Sequence, residues 1–527
     1  MNFAQAVIRT FSRKERIAAI AALVVFFLSG AAKAGAVIEE RSVMMPAPGG
    51  TYREGIVGQP VAVNPVISGN PADEALAALV YARLGTLVED LTVTEERVYT
   101  VLLKEELVWA DGTPLTSDDV LFTVETIQNP EAQSPRYKNW EGVVAERVSE
   151  LRLTLTLSSP YVFFEEQIRN LLVVPRHLFV HLPPSNIRLS AYNFEPVGSG
   201  PYRFEGLTKR RDGFITEYHF VRNELFAGEP AFIKHFFVKF FESPEELRDA
   251  YRRRAIDGFG AFAPNKDETI RGERIYAPTA AYYAVFFNPR AKTLLAEESF
   301  RRALVQAIDR ETLVTDVLGG AGTPVAGPDP YRRDAGTPEF EKASSTLAKL
   351  RAEYGELKME IAVPETPFLR DAAVRVKEMW EAAGISEVRL VFIDEATFMN
   401  RIVRERNYEA VLFGNVLEHE YDLFPFWHTS ERFYPGLNLA LFTMKSLDTV
   451  LEDIRQEADA DARRELFEKA VDIIADESPA VFLFTVPYTY VHNGRLHGFA
   501  LEKPLVVPAD RFRDAASWYV NEARVIE

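Results

Sequence analysis

Apolar residues in the second half of the chain follow two alternating patterns, one with the spacing of helices and one typical of strands. Residues 341–355 and 370–385 place apolar side chains at intervals of three and four residues, which predicts amphipathic helices. Residues 358–364 and 388–394 are short apolar runs of the kind found in buried strands. The alternation of helix and strand predicts an open α/β sheet built from βαβ units.

An earlier segment shows a different order of elements. Residues 97–103 and 152–157 have the composition of strands, and a helix that starts near Thr116 lies between them. Thr116 and Asp119 have the spacing of a capping box at the start of this helix. We therefore predict that residues 86–196 form a separate, inserted α+β domain.

The N-terminus has the organisation of an export signal. A basic segment precedes an uninterrupted apolar run of 12 residues, Ile17–Leu28, and Ala32 and Ala34 supply the small residues of a cleavage site. This order predicts a signal peptide, residues 1–34, that is cleaved after Ala34; its basic residues are Arg9, Arg13, Lys14 and Arg16. The alternative is an uncleaved membrane anchor, although the run is short for a spanning helix, which needs about 20 residues. Residues 35–50 follow as a predicted linker with a Pro- and Gly-rich end.

Length and charge limit the number of domains and the class of partner. A chain of 527 residues is too long for one hydrophobic core, and we expect about three domains. The formal net charge of −17 argues against nucleic acid or an anionic membrane surface as the main partner. The sequence has no cysteine, which excludes disulfides, thiolate nucleophiles and cysteine-based metal sites.

The sequence contains none of the common catalytic or phosphate-binding motifs. The glycines at 319–322 follow a predicted helix, whereas a phosphate site needs backbone donors at a helix N-terminus. His177 and His181 are four residues apart, but prolines flank the pair and a third metal ligand is missing. We predict no metal, no cofactor and no enzymatic activity.

Three stretches of the sequence carry a family resemblance. The first is WADGTPLTSDDV at 109–120, where Asp111 and Gly112 predict a tight turn, and the second is GSGPY at 198–202. The third and longest is residues 281–328, which contains the sequence AIDR and a glycine-rich segment. In this order they resemble the extracellular solute-binding proteins of peptide ABC transporters, the oligopeptide/dipeptide-binding family known as family 5.

The resemblance implies an α/β fold of the periplasmic-binding-protein type (class II, cluster C), with two lobes and an additional inserted α+β domain. Domain II is the insert, residues 86–196, and domain III is the second ligand-binding lobe, residues 281–484. Domain I is discontinuous, because the strand predicted at 480–493 returns the chain to it; its segments are residues 51–85, 197–280 and 485–527. The lobes are expected to close on a ligand about a hinge.

The resemblance also implies which residues bind the ligand. Peptide-binding relatives place an Asp three residues before a D-P pair, in a loop of domain III, to bind the amino terminus of the ligand. Asp422 matches the Asp of that pair, Leu423 replaces Pro, and the amine-binding position falls on His419, between Glu418 and Glu420. Either a glutamate takes this role or the ligand has no free α-amine, and a solvated acidic loop is the alternative.

Aromatic and basic side chains complete the predicted ligand site. The remaining candidates are Phe426, Trp427, His428, Arg370, Tyr52 and Asn288. Trp427 belongs to a run that resembles an aromatic wall in some relatives, and we expect it to face the cleft. Arg370 is expected at the start of a helix, where dipeptide-binding relatives use an Arg for the ligand carboxylate. Core packing or plain surface exposure is the alternative for each of these side chains.

The function implied by the resemblance is that of a substrate-binding component of an ABC transporter. It would capture oligopeptides or similar small solutes and deliver them to a permease. The expected partners are the ligand and the permease with its ATPase subunits, without nucleic acid. We expect a monomer in the periplasm or on the outer face of the cytoplasmic membrane. Two alternatives stay open: a membrane-tethered peptide sensor or chaperone of the same fold, and a binding protein for a nickel chelate, haem or a sugar.

Overall fold

The chain folds into an α/β protein with four sheets of two, four, six and seven strands, which confirms the predicted fold class. The structure is a computed structural model that describes residues 12–40, 42–262, 270–501 and 503–526. Arg9 of the predicted basic segment lies outside the described residues.

The seven-stranded sheet combines strands from near both ends of the described chain. Its central strand, Thr51–Val57, pairs in parallel with Gly258–Phe262 on one side and with His235–Phe241 on the other. Every second side chain of His235–Phe241 is buried, so one face of the sheet covers the core. The strand order is Glu273–Ala277, Tyr488–His492, Gly258–Phe262, Thr51–Val57, His235–Phe241, Ile215–Arg222 and Tyr202–Lys209.

The six-stranded sheet has a hydrophobic core on each face. Val285 packs in a core that contains Trp380, and its neighbour Phe286 packs in a core that contains Trp427, because successive strand side chains point to opposite faces. The strand order is Thr323–Pro324, Ala480–Thr485, Ala281–Phe287, Ala410–Val416, Lys358–Pro364 and Glu387–Ile393. The longer helices that accompany this sheet are Glu298–Gln306, Arg310–Leu318, Phe340–Tyr354, Pro367–Ala383, Lys445–Gln456 and Ala460–Glu477.

The four-stranded sheet and the helix Ser117–Gln128 form the predicted α+β segment. The capping box is present: the Thr116 amide donates to Asp119 Oδ2 at 2.9 Å, and the Thr116 hydroxyl accepts from the Asp118 amide at 3.3 Å. The core of this segment is continuous with that of the seven-stranded sheet. The strand order is Val88–Thr94, Val98–Leu103, Arg152–Thr156 and Val144–Arg147.

Two of the sequence motifs that carry the family resemblance touch each other. The Ala110 amide, in the turn of the first motif, donates to the Gly198 carbonyl of the second at 2.9 Å. A Cβ on Gly198 would lie 2.0 Å from the carbonyl oxygen of Val80, and one on Gly200 would lie 2.6 Å from it. Glycine is therefore needed at both positions because the backbone passes directly against the helix Pro71–Val80.

Two adjacent crossovers connect the seven-stranded and the six-stranded sheets. Residues 278–280 lead from one sheet to the other, and residues 486–487 lead back. The Thr279 hydroxyl donates to the Val486 carbonyl at 2.8 Å, so the two crossovers lie side by side. The strand predicted over 480–493 is thus two strands in different sheets.

The first and the last described strands form a two-stranded ribbon. Ser42–Ala47 pairs antiparallel with Asn521–Ile526, and the helix Arg13–Glu40 comes before it. The predicted linker, residues 35–50, therefore contains the end of a helix and a strand, because the C-terminal residues offer a pairing partner. Within the described part of the chain, no helix combines the length and the apolar character needed to cross a membrane.

Short helical segments complete the described structure. The α-helical ones are Leu84–Leu87, Tyr137–Trp140, Phe164–Asn170, Arg176–Phe179, Pro244–Arg252, Thr293–Ala296, Glu395–Thr397 and Phe424–Trp427, and Phe398–Arg404 is a π-helix. The 3-10 helices are Pro130–Ala132, Pro184–Leu189, Ala191–Asn193, Thr429–Arg432, Pro508–Phe512 and Ala515–Ser517.

Candidate functional site

The loop that follows the strand Ala410–Val416 contacts the predicted α+β segment, residues 86–196 (below, the inserted segment), through His419. The imidazole stacks on the ring of Phe163, with centroids 5.4 Å apart and an angle of 9° between the ring planes. His419 Nδ1 lies 3.1 Å from Glu166 Oε2, and the side chain is only 9% exposed. The hydrogen bond with His419 lowers the pKa of the Glu166 carboxyl. Lys503 approaches the other oxygen of this carboxylate at 3.6 Å.

Asp422 is the second point of contact between this loop and the inserted segment. Arg455 donates to it through Nε at 3.0 Å and through Nη2 at 2.8 Å, which is a bidentate ion pair. The Tyr161 hydroxyl donates to Asp422 Oδ2 at 3.3 Å. Burial, followed by the charge of Asp422, raises the pKa of Tyr161 well above its usual value, so this hydroxyl stays protonated. The Val162 amide also donates to the Arg455 carbonyl at 3.0 Å.

The two glutamates of the loop are exposed. Glu418 Oε2 accepts a hydrogen bond from Asn139 Nδ2 of the inserted segment at 2.7 Å. Glu420 has no ion pair in the described part of the chain. Burial of Tyr331 is the main cause that raises the pKa of its hydroxyl, and the charge of Glu420 is the second cause. Among the loop's acidic residues, Glu418 and Glu420 are therefore the two that have no ion pair in the described part of the chain.

The aromatic run after the loop lies in the core of the six-stranded sheet. Trp427, expected to face a cleft, is 1% exposed, and its Nε1 donates to the Tyr282 hydroxyl at 3.1 Å. Asn415 Nδ2 donates to the same hydroxyl at 2.9 Å. Phe426, next to Trp427 in the sequence, is also buried. The imidazole of His428 stacks on the ring of Phe424, with centroids 4.0 Å apart. Because Tyr282 belongs to the strand Ala281–Phe287, this hydrogen bond fixes the chain that follows the loop to the six-stranded sheet.

Two other predicted site residues have their described contacts outside this loop. Arg370 is in the first turn of helix Pro367–Ala383, ion-paired with Glu365 at 3.1 Å, with its guanidinium 4.2 Å from the centroid of the Phe392 ring. Asn288 is buried, and its amide donates to the Tyr408 carbonyl at 2.9 Å. These bonds fix the side chains to the protein itself.

Tyr52 belongs to a buried polar network in the seven-stranded sheet. Its hydroxyl lies 2.7 Å from the Tyr490 hydroxyl, which donates to Glu54 Oε2 at 2.7 Å. Arg511 donates to the other oxygen of Glu54 through Nη2 at 2.9 Å, and both charged side chains are almost fully buried. The network connects a central strand to the C-terminal segment, and its hydroxyls and charges are satisfied within the protein.

The sequence did not point to the partners of the loop. Tyr161, Phe163 and Glu166 lie more than 250 residues before the groups they contact. The only local hint of these partners is the aromatic-rich run YVFF at 161–164, which follows the strand Arg152–Thr156. Among the described residues, no group of three or more histidines and carboxylates is placed to hold a metal ion.

Comparison with known proteins gives one consistent result. The sequence matches bacterial extracellular solute-binding proteins, family 5 (middle region), over residues 85–432, about two-thirds of the chain. The oligopeptide-binding protein AppA of Bacillus subtilis is 22% identical over 483 residues, covering 84% of this chain and 88% of AppA.

Solved structures of such proteins have the same fold. The ABC transporter substrate-binding protein CtaP of Listeria monocytogenes gives a TM-score of 0.78 at 23% identity, over 90% of this chain and 99% of CtaP. AppA of B. subtilis in complex with a nonapeptide gives a TM-score of 0.71 at 20% identity, over 90% of this chain and 100% of AppA. These similarities confirm the periplasmic-binding-protein type of fold.

Proposed function

We propose that this chain, which belongs to the bacterial extracellular solute-binding proteins of family 5, captures peptides outside the cytoplasmic membrane and delivers them to the permease of an ABC transporter. The peptide preference is supported by the oligopeptide-binding AppA of B. subtilis and by its structure with a nonapeptide. The ligand is carried and released without chemical change, since the family consists of binding proteins. The permease and its ATPase subunits are separate chains.

The observation that carries this proposal is the pair of adjacent crossovers between two large sheets. Only residues 278–280 and 486–487 carry the described chain between these sheets, and they are held together by the Thr279–Val486 hydrogen bond. Small changes in backbone dihedrals there can rotate one lobe against the other without disturbing either core. A binding protein that opens and closes on a solute needs such a hinge.

The limits of the three domains and the ligand-binding residues are part of the proposal. Apart from the terminal ribbon and from Thr485, the last residue of the strand Ala480–Thr485, the strands of each sheet fall within one of the three predicted domains. We propose that the ligand lies against the loop containing Glu418, His419, Glu420 and Asp422, and that Trp427 supports this loop from below. Arg370 is a secondary candidate because it is partly exposed.

Native mass spectrometry of the purified protein tests the peptide proposal. Peptide masses that leave the protein on collisional activation support it, whereas exclusively non-peptide ligands, such as haem or a nickel chelate, would contradict it while leaving the fold unaffected. Titration calorimetry with a recovered peptide then tests the loop. Binding should weaken in Asp422→Ala and in Trp427→Ala, and unchanged affinity in both variants would remove the loop from the site.

Export and processing are proposed on the sequence pattern and the family. We propose that the chain is exported and cleaved after Ala34. The intact mass of the protein recovered from the envelope of expressing cells distinguishes this from a retained N-terminal segment. A retained segment would favour the tethered sensor or chaperone.

A further inference from the structure

Two histidines meet on the outer face of the seven-stranded sheet. His219 and His235 belong to neighbouring antiparallel strands of this sheet and are 16 residues apart in the sequence. Phe220 and Phe236, which follow them in the chain, are buried, so the two imidazoles lie on the opposite, half-exposed face. His219 Nε2 is 3.1 Å from His235 Nδ1. Strand pairing therefore brings together two nitrogen atoms that the sequence gave no reason to associate.

Phe237 orients one of the two rings. It lies directly opposite His219 on the partner strand, and the two rings stack with centroids 4.2 Å apart and an angle of 3° between their planes. Burial, followed by the charge of His235, lowers the pKa of the His219 imidazole. This imidazole is therefore neutral at pH 7, which is the form that binds a metal ion.

The separation of the two nitrogen atoms suits a shared metal ion. Imidazole nitrogen atoms bind Zn²⁺ at about 2.0–2.1 Å. Two such atoms 3.1 Å apart can therefore both bind one ion, with an angle of about 100° at the metal, which lies between square-planar and tetrahedral values. The χ2 torsions of histidine have broad minima, so modest ring rotations can aim both lone pairs at the ion.

The surroundings of the pair favour a cation and leave room for water. Glu205 and Glu217 act on His219 through their negative charges. They are ion-paired with Arg203 and Lys239, respectively, and no third histidine or carboxylate of the described chain is placed to complete a metal site. Water would thus occupy the remaining coordination positions, as the half-exposed location of the rings permits.

We propose that His219 and His235 form a binding site for a divalent cation of the late first transition series, with Cu²⁺ bound more tightly than Ni²⁺ or Zn²⁺. Imidazole ligands select these ions, whereas Mg²⁺ and Ca²⁺ prefer oxygen ligands. The site lies on a different sheet from the strand that leads into the loop at 418–422, and it does not depend on the proposed peptide-binding function. Its test contains no peptide, so the two proposals can fail separately.

Pulsed electron paramagnetic resonance with Cu²⁺ counts the imidazoles that bind the ion. Half an equivalent of copper(II) chloride is added to the purified full chain after treatment with a chelator. The echo modulation should show two coordinated imidazoles in the unchanged protein and fewer in His219→Ala and in His235→Ala. A spectrum with one imidazole or none in the unchanged protein, or one that is the same in all three proteins, would overturn the proposal.

Titration calorimetry measures what each histidine contributes. His219→Ala and His235→Ala should each weaken Cu²⁺ binding at least about tenfold, because each removes one of two protein ligands. His181→Ala is the matched control, since it removes an exposed histidine outside the sheet, and it should leave the affinity within about twofold. Thermal melts without metal confirm that the variants are folded. Equal affinities in all four proteins would place the ion elsewhere and refute the site.

A stability measurement with Zn²⁺ tests whether the ion bridges the two strands. Zinc at about a hundred times its dissociation constant should raise the melting temperature of the unchanged protein by about 5–10 °C, because only the folded chain holds the two imidazoles together. The rise should be lost in His219→Ala. An equal rise in both proteins would contradict a site formed by this pair.

Discussion

The bidentate pair between Asp422 and Arg455 allows a quantitative test of how the loop is held. The Asp422 side chain is 6% exposed and that of Arg455 is 27% exposed. Removing one partner of a fully buried pair costs about 3–5 kcal/mol, because it leaves an uncompensated charge. Water reaches part of the Arg455 guanidinium, so we expect Asp422→Ala to lower the free energy of unfolding by about 2–3 kcal/mol.

A double-mutant cycle separates this interaction from other effects of the substitutions. Arg455→Met keeps an unbranched side chain against Phe424, over whose ring the guanidinium lies at 3.9 Å. We expect the Asp422→Ala and Arg455→Met changes to show a coupling energy of about 2 kcal/mol. Differential scanning calorimetry is the appropriate assay, because a chain of several domains need not unfold in one step.

The size of the thermal shift follows from the size of the lobe. In a domain of about 200 residues, 1 kcal/mol changes the melting temperature by about 2–4 °C. Asp422→Ala should thus lower the transition of the second lobe by about 4–12 °C. The exposed pair Arg370–Glu365 is the control, and its coupling should be below about 0.5 kcal/mol. An equally small coupling between Asp422 and Arg455 would refute the assignment of a buried ion pair that holds the loop.

Three further predictions concern stability. Trp427→Phe should cost about 1–3 kcal/mol in urea unfolding, because it removes ring volume and the hydrogen bond to Tyr282. Tyr282→Phe should cost at least as much, because it leaves two buried donors, Trp427 Nε1 and Asn415 Nδ2, without their acceptor. Glu54→Gln should cost about 3–5 kcal/mol, because it leaves the buried Arg511 charge without its partner, and a calorimetric shift of under about 2 °C would contradict this. The lowered pKa of Glu166 means that its charged form contributes stability above its unfolded pKa of about 4.3, which is lost as the pH falls through the folded value. The melting-temperature difference between the protein and Glu166→Gln should therefore be larger at about pH 5 than below about pH 4.

Local sequence signals predicted the elements whose ends are determined by nearby residues. Thr116 and Asp119 form the capping box that their spacing indicated. Asp309, in the sequence AIDR, likewise caps the helix that it precedes, Arg310–Leu318. The apolar run 480–493 was harder to interpret, because it contains two strands in different sheets. Its Pro487 marks the break, since proline cannot donate a ladder hydrogen bond.

Features that depend on distant partners could not be predicted in this way. The strand Ser42–Ala47 forms because Asn521–Ile526 pairs with it, and residues 35–50 alone have the composition of a linker. The aromatic run around Trp427 is visible in the sequence, but the direction of the Trp427 side chain depends on Tyr282 in another strand.

The loop at 418–422 shows the same limit for function. Its acidic composition suggests a place for a cation, and whether that place is free depends on residues elsewhere in the chain. Arg455 and Glu166 belong to a helix of the second lobe and to a helix of the inserted segment. Both are bound to the loop in the folded protein, so charges that suggest a ligand site instead join the loop to other parts of the chain. Charge patterns in a binding loop therefore indicate a ligand only after the protein's own counter-charges have been assigned.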